Sequence, residues 1–265
     1  MRHIKALWNS RVLTSWVSLA LKGGLVFFLL PVVTLKFDAA TVSVWLLFFS
    51  FVTLGMIFDF GFAPTFIRTL SYAQADEATR PTSTVISDRF DFSEILFVVS
   101  HLYKWLPIVA VTLLGLLGSL ALVRPIGLTD LGSTAWLAWA IVLSSIGVAL
   151  YGQMFAVYLQ SIDQIEVFRR NEVVGFGTSI FASYLALVWF DAGFLTIVAL
   201  GQSSLAINTL LHFWQSRRAG FFERIGSQAH SNTARRIWAD AWRMGFGILS
   251  IAGVYQAVGI FLGQV

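Results

Sequence analysis

Cysteine is absent from the 265 residues. That removes a disulfide framework, a thiolate metal site and a cysteine nucleophile. Charge is scarce as well. Asp, Glu, Lys and Arg make up 12% of the chain, against roughly 25% in a soluble globular protein. Signatures of catalysis are missing: the chain has no Walker loop, no His-Glu-x-x-His and no Gly-x-Ser-x-Gly. His3, His101, His212 and His230 are scattered near the ends of apolar runs and read as solvated interfacial side chains. Most carboxylates fall in polar connections, and none are paired for acid–base work. Nothing points to an enzyme, a cofactor or a metal.

What is abundant is apolar sequence. Hydrophobic residues make up 57% of the chain, and the mean hydropathy is +0.76. A membrane-spanning helix needs about 20 mostly apolar residues. Six blocks qualify, at residues 12–35, 42–63, 106–123, 133–159, 173–190 and 193–214. A seventh begins near Trp242 and is still running at Val265. Lys22 interrupts the first block, so that block reads as an uncleaved span rather than a signal peptide. The expected fold is an all-α polytopic bundle of six spans plus the start of a seventh.

Charge sets the expected orientation. Arg2, Lys5 and Arg11 precede the first block. Arg68, Arg80, Arg89 and Lys104 follow the second, and Arg169 and Arg170 follow the fourth. Arg217, Arg218, Arg224, Arg235, Arg236 and Arg243 follow the sixth. The opposite side has Lys36 and Arg124 in very short turns. Basic residues stay cytoplasmic, which places the N-terminus inside. Tryptophans agree: Trp16, Trp105, Trp214 and Trp242 fall near one set of ends, and Trp45, Trp136, Trp139 and Trp189 near the other. The net charge of +4 therefore reads as a topology signal and a contact with anionic lipid. It forms no basic stripe and indicates no nucleic-acid partner.

Two polar segments carry local structure. Residues 73–91 read as a flexible loop. Within 92–103, Phe92, Ile95, Leu96, Val99, Leu102 and Tyr103 recur at helical spacing. That predicts an amphipathic helix, lying on the surface or extending the third span inward. Residues 213–241 hold a second surface helix with Arg217, Arg218, Phe221, Phe222 and Arg224.

The candidate site rests on charge inside apolar runs. A charged side chain near the bilayer centre costs roughly 2.5–3.5 kcal/mol on insertion scales and usually faces a partner or a cavity. Lys22 lies mid-run beside Gly23 and Gly24. Asp59 and Arg68 flank Phe60-Gly61-Phe62-Ala63-Pro64-Thr65-Phe66-Ile67, where glycine and proline predict a broken helix. Asp59 has a structural alternative, pairing with Lys22 or Arg11. Arg11 and Arg243 stand at helix starts, where anchoring competes with binding. Such cations around one cavity suit a phosphate-bearing ligand. Tyr151, Tyr158, Gln153, Gln160, Tyr184, Gln202 and Asn208 place polar groups in the later spans, for helix–helix hydrogen bonds or sugar contacts.

Ser15-Trp16-Val17-Ser18-Leu19-Ala20-Leu21-Lys22, Leu30-Pro31, Val44-Trp45-Leu46-Leu47, Asp59-Phe60-Gly61-Phe62-Ala63-Pro64, Ile67-Arg68 and Tyr72-Ala73 together resemble a known family. It is that of the bacterial Wzx-type polysaccharide flippases, within the multidrug/oligosaccharidyl-lipid/polysaccharide (MOP) exporter superfamily. The resemblance implies about a dozen helices in two bundles. It also implies alternating access that moves undecaprenyl-pyrophosphate-linked oligosaccharide, such as an O-antigen or exopolysaccharide unit, across the inner membrane. The implied partners are membrane lipid, that cargo, and glycan polymerase and export proteins. Lys22, Asp59 and Arg68 become cavity candidates, with Arg11 and Arg243 nearer the inner mouth. Residues 1–240 would form the first bundle with its cytoplasmic surface helices. Trp242-Arg243-x-Gly would open the first helix of a truncated second bundle, 241–265. Otherwise two copies would have to assemble. The competing readings are a cation-coupled drug antiporter, a membrane-embedded glycan polymerase or glycosyltransferase, and a non-transporting assembly partner.

Overall fold

A computed structural model describes residues 11–78, 91–226, 237–239, 241–247 and 250, excepting the side chains of 11, 25 and 26. Among the described residues there is no strand. The helices are α1 (Arg11–Lys36), α2 (Ala39–Ile57), α3 (Phe62–Ala78), α4 (Phe92–Gly127), α5 (Ser133–Ser161), α6 (Ile165–Trp189), α7 (Phe194–Arg218) and the short α8 (Phe221–Arg224). Six of them, all except α3 and α8, are long and apolar enough to cross a membrane. Their outward faces carry apolar side chains such as Phe27, Leu117, Leu120 and Phe181, a surface suited to lipid rather than water. The protein is thus an all-helical, membrane-embedded bundle.

Local chemistry explains where the helices start and stop. Asp38 caps α2, accepting from the Ala40 and Thr41 amides at 3.0 and 3.2 Å, which satisfies two first-turn donors. Asp91 caps α4 in the same way through Ser93. The second apolar block does not run to residue 63 as one helix. It ends at Ile57, and Phe60 (φ 46°) and Gly61 (φ 70°) turn the chain before α3 begins at Phe62. The glycine takes the left-handed conformation without cost. Pro64 sits in the first turn of α3, where its missing amide proton breaks no helical bond.

Three boundaries differ from the expectation. The loop expected at 73–91 is helical through Ala78, while 79–90 lie outside the described residues. The amphipathic stretch at 92–103 takes the second of its two expected forms, continuous with the third apolar block in one helix of 36 residues. α6 begins at Ile165, two turns earlier than the apolar block. At residues 213–241, α7 runs on to Arg218 and is followed by the four-residue α8, with 227–236 outside the described residues. Of the expected seventh span, 241–247 are helical and most of the remainder is outside them.

α5 is the axis of the bundle, packing along α7 and α4, while α1 packs along α6 and α6 along α7. α1 and α2, although consecutive, touch little. Close approach is bought at small residues: a Cβ on Gly152 of α5 would collide with the Thr209 hydroxyl of α7. Without a hydrophobic force between helices in lipid, such fits and interhelical hydrogen bonds hold a bundle together. Ser145 Oγ donates to Gln202 Oε1 at 2.9 Å, and Ser179 Oγ to the Leu200 carbonyl at 2.5 Å.

Candidate functional site

A cavity of about 470 Å³ lies among α1, α2, α5, α6 and α7. That is within the range of roughly 300–1,000 Å³ usual for small-molecule sites. Each helix contributes for a sequence reason. The apolar face of α2 gives Phe49, Val52 and Met56, and α5 gives Gly152 and Gln153. α7 gives Gln202, Ser204, Asn208, Thr209 and His212, spaced so that one face of the helix is polar. α6 gives Phe168, Glu172 and Phe176, and α1 gives Lys22. Because α1 and α2 make little contact, the cavity lies beneath the gap between them, with Lys22 exposed on one side and Thr53 on the other.

The charges differ in their state of compensation. Glu172 is buried. Its Oε2 accepts from Ser18 Oγ at 2.5 Å and pairs with Arg169 at 2.7 Å. Buried carboxylates survive only with such partners. Lys22, one turn beyond Ser18 on α1, has no ion pair among the described residues. Among the described residues that line the cavity, Lys22 is thus a cation without an ion pair.

His212 is buried, stacked on Phe168 with ring centroids 4.9 Å apart. Its Nε2 is buried and has no hydrogen-bond partner among the described residues. Asn208 Oδ1 is likewise buried and unpartnered.

The sequence candidates separate. Lys22 lines the cavity; Asp59 and Arg68 do not. Asp59 lies in the break between α2 and α3, where it accepts from the Tyr103 hydroxyl and from the Ala63 amide at 3.1 Å. Its partners are thus Tyr103 and the backbone, rather than the Lys22 or Arg11 expected from sequence. Arg68 is exposed on α3, and Arg243 is exposed on the helical stretch 241–247. The Arg11 side chain is outside the described atoms, as are His3 and His230.

Two wall residues were missed. Glu172 sits just before the fifth apolar block and beside Arg169 and Arg170, so it reads as part of a polar connection. His212 is near an arginine-rich end and reads as solvated; His101 is exposed as expected. Only the helical phase, with Glu172 and Phe168 four apart and Asn208 and His212 four apart, marks them as sharing faces. Of the polar residues noted in the later spans, Gln153, Gln202 and Asn208 reach the cavity. Tyr158 donates instead to the Ala219 carbonyl at 2.6 Å. Gln160 bonds its own helix, and Tyr151 and Tyr184 face outward. No family model, curated protein or solved structure matches the chain.

Proposed function

We propose that this chain is a transporter rather than an enzyme: a flippase, or part of one, for lipid-linked oligosaccharide in the bacterial inner membrane, with its N-terminus in the cytoplasm. The observation that carries the reading is Lys22. It is a cation without a counter-charge, on a helix in the membrane, at an open-sided cavity among polar and aromatic side chains. Keeping such a charge there is costly, and an anionic cargo offsets the cost. A pyrophosphate head could meet the ammonium while its lipid tail stays in the bilayer beyond the gap between α1 and α2. The resemblance at residues 15–22 and 59–68 supports the same reading. Asp59 enters it as the carboxylate that holds the α2–α3 break, with Arg68, Arg11 and Arg243 as cations on the way to the cavity.

The drug-antiporter reading has one observation in its favour, the buried carboxylate of Glu172 on the cavity wall. That carboxylate is already engaged by Arg169 and Ser18, which leaves it poorly placed to receive a cationic drug.

The test is genetic. Cells lacking the gene should lose surface polysaccharide and accumulate its lipid-linked precursor on the cytoplasmic face. The native gene should restore export; Lys22→Ala at equal protein level should lower it at least tenfold, and Lys22→Arg should retain most of it. Full export by Lys22→Ala would remove the main support for the flippase.

A further inference from the structure

Two helical ladders are cut close to one another. The first cut separates α2 from α3 at Phe60 and Gly61. The second lies inside α4, where Pro107 has no amide proton to give the Tyr103 carbonyl four residues before it. Pro64 does the same to the carbonyl of Phe60. One side chain joins the two cuts: Asp59 accepts from the Tyr103 hydroxyl and, at 3.1 Å, from the Ala63 amide.

The packing changes at the same places. Trp45 and Phe48 of α2 belong to one core, and Phe66 and Leu70 of α3 to another. α4 changes over at Pro107: Val99 and Tyr103 pack with α3, Ala110 and Leu114 with α2. α5 alone passes from the first core, at Leu150, to the second, at Met154, as an unbroken helix of high regularity. A further element is seated on the first cut. Ile237 and Ala241 are buried in the α3 core, and Trp238 lies 5.4 Å from Phe62 between ring centroids. Gly245 packs so closely that a Cβ there would stand 2.5 Å from the Phe60 carbonyl oxygen, the one Pro64 leaves without a helical donor. Phe60 itself is held at φ 46°, a conformation that a residue other than glycine keeps only where its surroundings enforce it.

A helix resists bending because backbone bonds tie each turn to the next. Neighbouring cuts concentrate bending where they lie. We propose that α3, residues 92–106 of α4 and the stretches 237–239 and 241–247 swing as one body on α5, with the Asp59–Tyr103 bond as the pin and Gly245 as a strap over the joint. The motion is inside this bundle and does not depend on what the cavity carries. It reaches the cavity because Met56 and Gln153, which line it, adjoin the first cut and Met154 in the chain. Anything that pulls on 241–247 loads the joint.

The chain has no cysteine, so pairs of spin labels can be set at exposed positions of the full chain in detergent micelles. Leu46→Cys with Tyr72→Cys spans the α2–α3 cut, and His101→Cys with Leu120→Cys spans Pro107; all four positions are exposed. Tyr72→Cys with His101→Cys lies within the moving body, and Leu46→Cys with Leu120→Cys lies outside it. Pulsed paramagnetic resonance should give narrow distance distributions for these two internal pairs and broad or double ones for the two spanning pairs. Tyr103→Phe and Gly245→Leu should each broaden the spanning pairs further. Pro107→Ala returns an amide donor to the Tyr103 carbonyl and should narrow the His101–Leu120 pair. Narrowing cannot come from loss of fold, and unchanged internal pairs show that each variant is folded.

Spanning distributions as narrow as the internal ones, in the native chain and in every variant, overturn the joint. A Tyr72–His101 distribution that broadens with the spanning pairs overturns the single body. Broadening by Tyr103→Phe with none by Gly245→Leu overturns the strap.

Discussion

At the end of the bundle that carries the short turns, Leu29, Val33, Val42, Val142 and Ile146 pack with Trp45, Phe48 and Trp139. At the opposite end the core is built around rings. Phe155 meets Phe213 and Phe221, each at 5.2 Å between centroids, and Tyr158 meets Phe221 at 5.1 Å. Both ends hold charge in an ion pair and at a ring, Lys36 being 5.9 Å from the Phe37 ring centre and Arg224 3.6 Å from Glu77, but the closest contacts differ. The short-turn end is tied across its surface by Lys36 and Asp191 at 2.7 Å. At the ring end cations lie on aromatic faces: Arg218 is 3.4 Å from the Trp214 ring centre and Arg224 is 4.6 Å from that of Phe92. Aliphatic packing suits helices that meet only one another and lipid. Aromatic faces also accept guanidinium groups, so the arginine-rich end can pack densely and still hold its charge.

The largest test of this division is Phe155→Ala. A fully buried Phe truncated to Ala costs about 3–5 kcal/mol. Hydrogen exchange should rise in the last turns of α7 and in α8, while the amides of α2 stay protected. Equal loss of protection at both ends would mean that one core, not two, holds the bundle.

Tyr103→Phe comes next. It removes the hydroxyl that donates to Asp59 and leaves a part-buried carboxylate with one fewer donor, at about 1–3 kcal/mol. Unfolding in micelles measures it, and Asp59→Asn combined with Tyr103→Phe should cost less than the sum of the two. Simple additivity would mean that packing alone holds the break at Phe60 and Gly61.

Asp191→Asn should have the smallest effect. The hydrogen bond and charge of Lys36 hold the Asp191 carboxyl below its ordinary value. A depressed carboxyl contributes stability above its unfolded value, about 3.9, and loses it as pH falls through the lower folded value. The variant should therefore be slightly less stable than the native chain at pH 7 and low salt, and indistinguishable from it in strong acid. The side chain is 98% exposed, so added salt should erase the difference. A difference that persisted in acid would separate Asp191 from Lys36.

How much of this was legible in the sequence follows from what each signal measures. Runs of apolar residues report the lipid environment, so all six helices long and apolar enough to cross a membrane were visible. The break after Ile57 was visible because glycine and proline act locally. Lys22 was visible as a charge where charge is rare. The partner of Asp59 was not, because Tyr103 is 44 residues away and only packing brings the two together. Glu172 and His212 were hidden for a related reason. A hydropathy boundary marks where the chain becomes polar, whereas a helix continues as long as its backbone bonds do. α6 starts at Ile165, which carries a carboxylate from an apparent connection onto the cavity wall.

One dimension of α4 has a mechanical consequence. Its 36 residues, at about 1.5 Å each, make a rod of roughly 54 Å, against a hydrocarbon layer of about 30 Å. Crossing such a layer at the tilt of about 20° usual for spanning helices, it would leave several turns clear of the acyl chains. Glu94, His101 and Lys104 make the end that begins at Phe92 the portion suited to water. The rings gathered around its base include Phe92, Tyr158 and Phe221. Were that stretch in water, expelling solvent would help these rings associate, whereas between helices in lipid no such force acts. A helix so placed would pass through two solvents, and its two halves would be held by different forces.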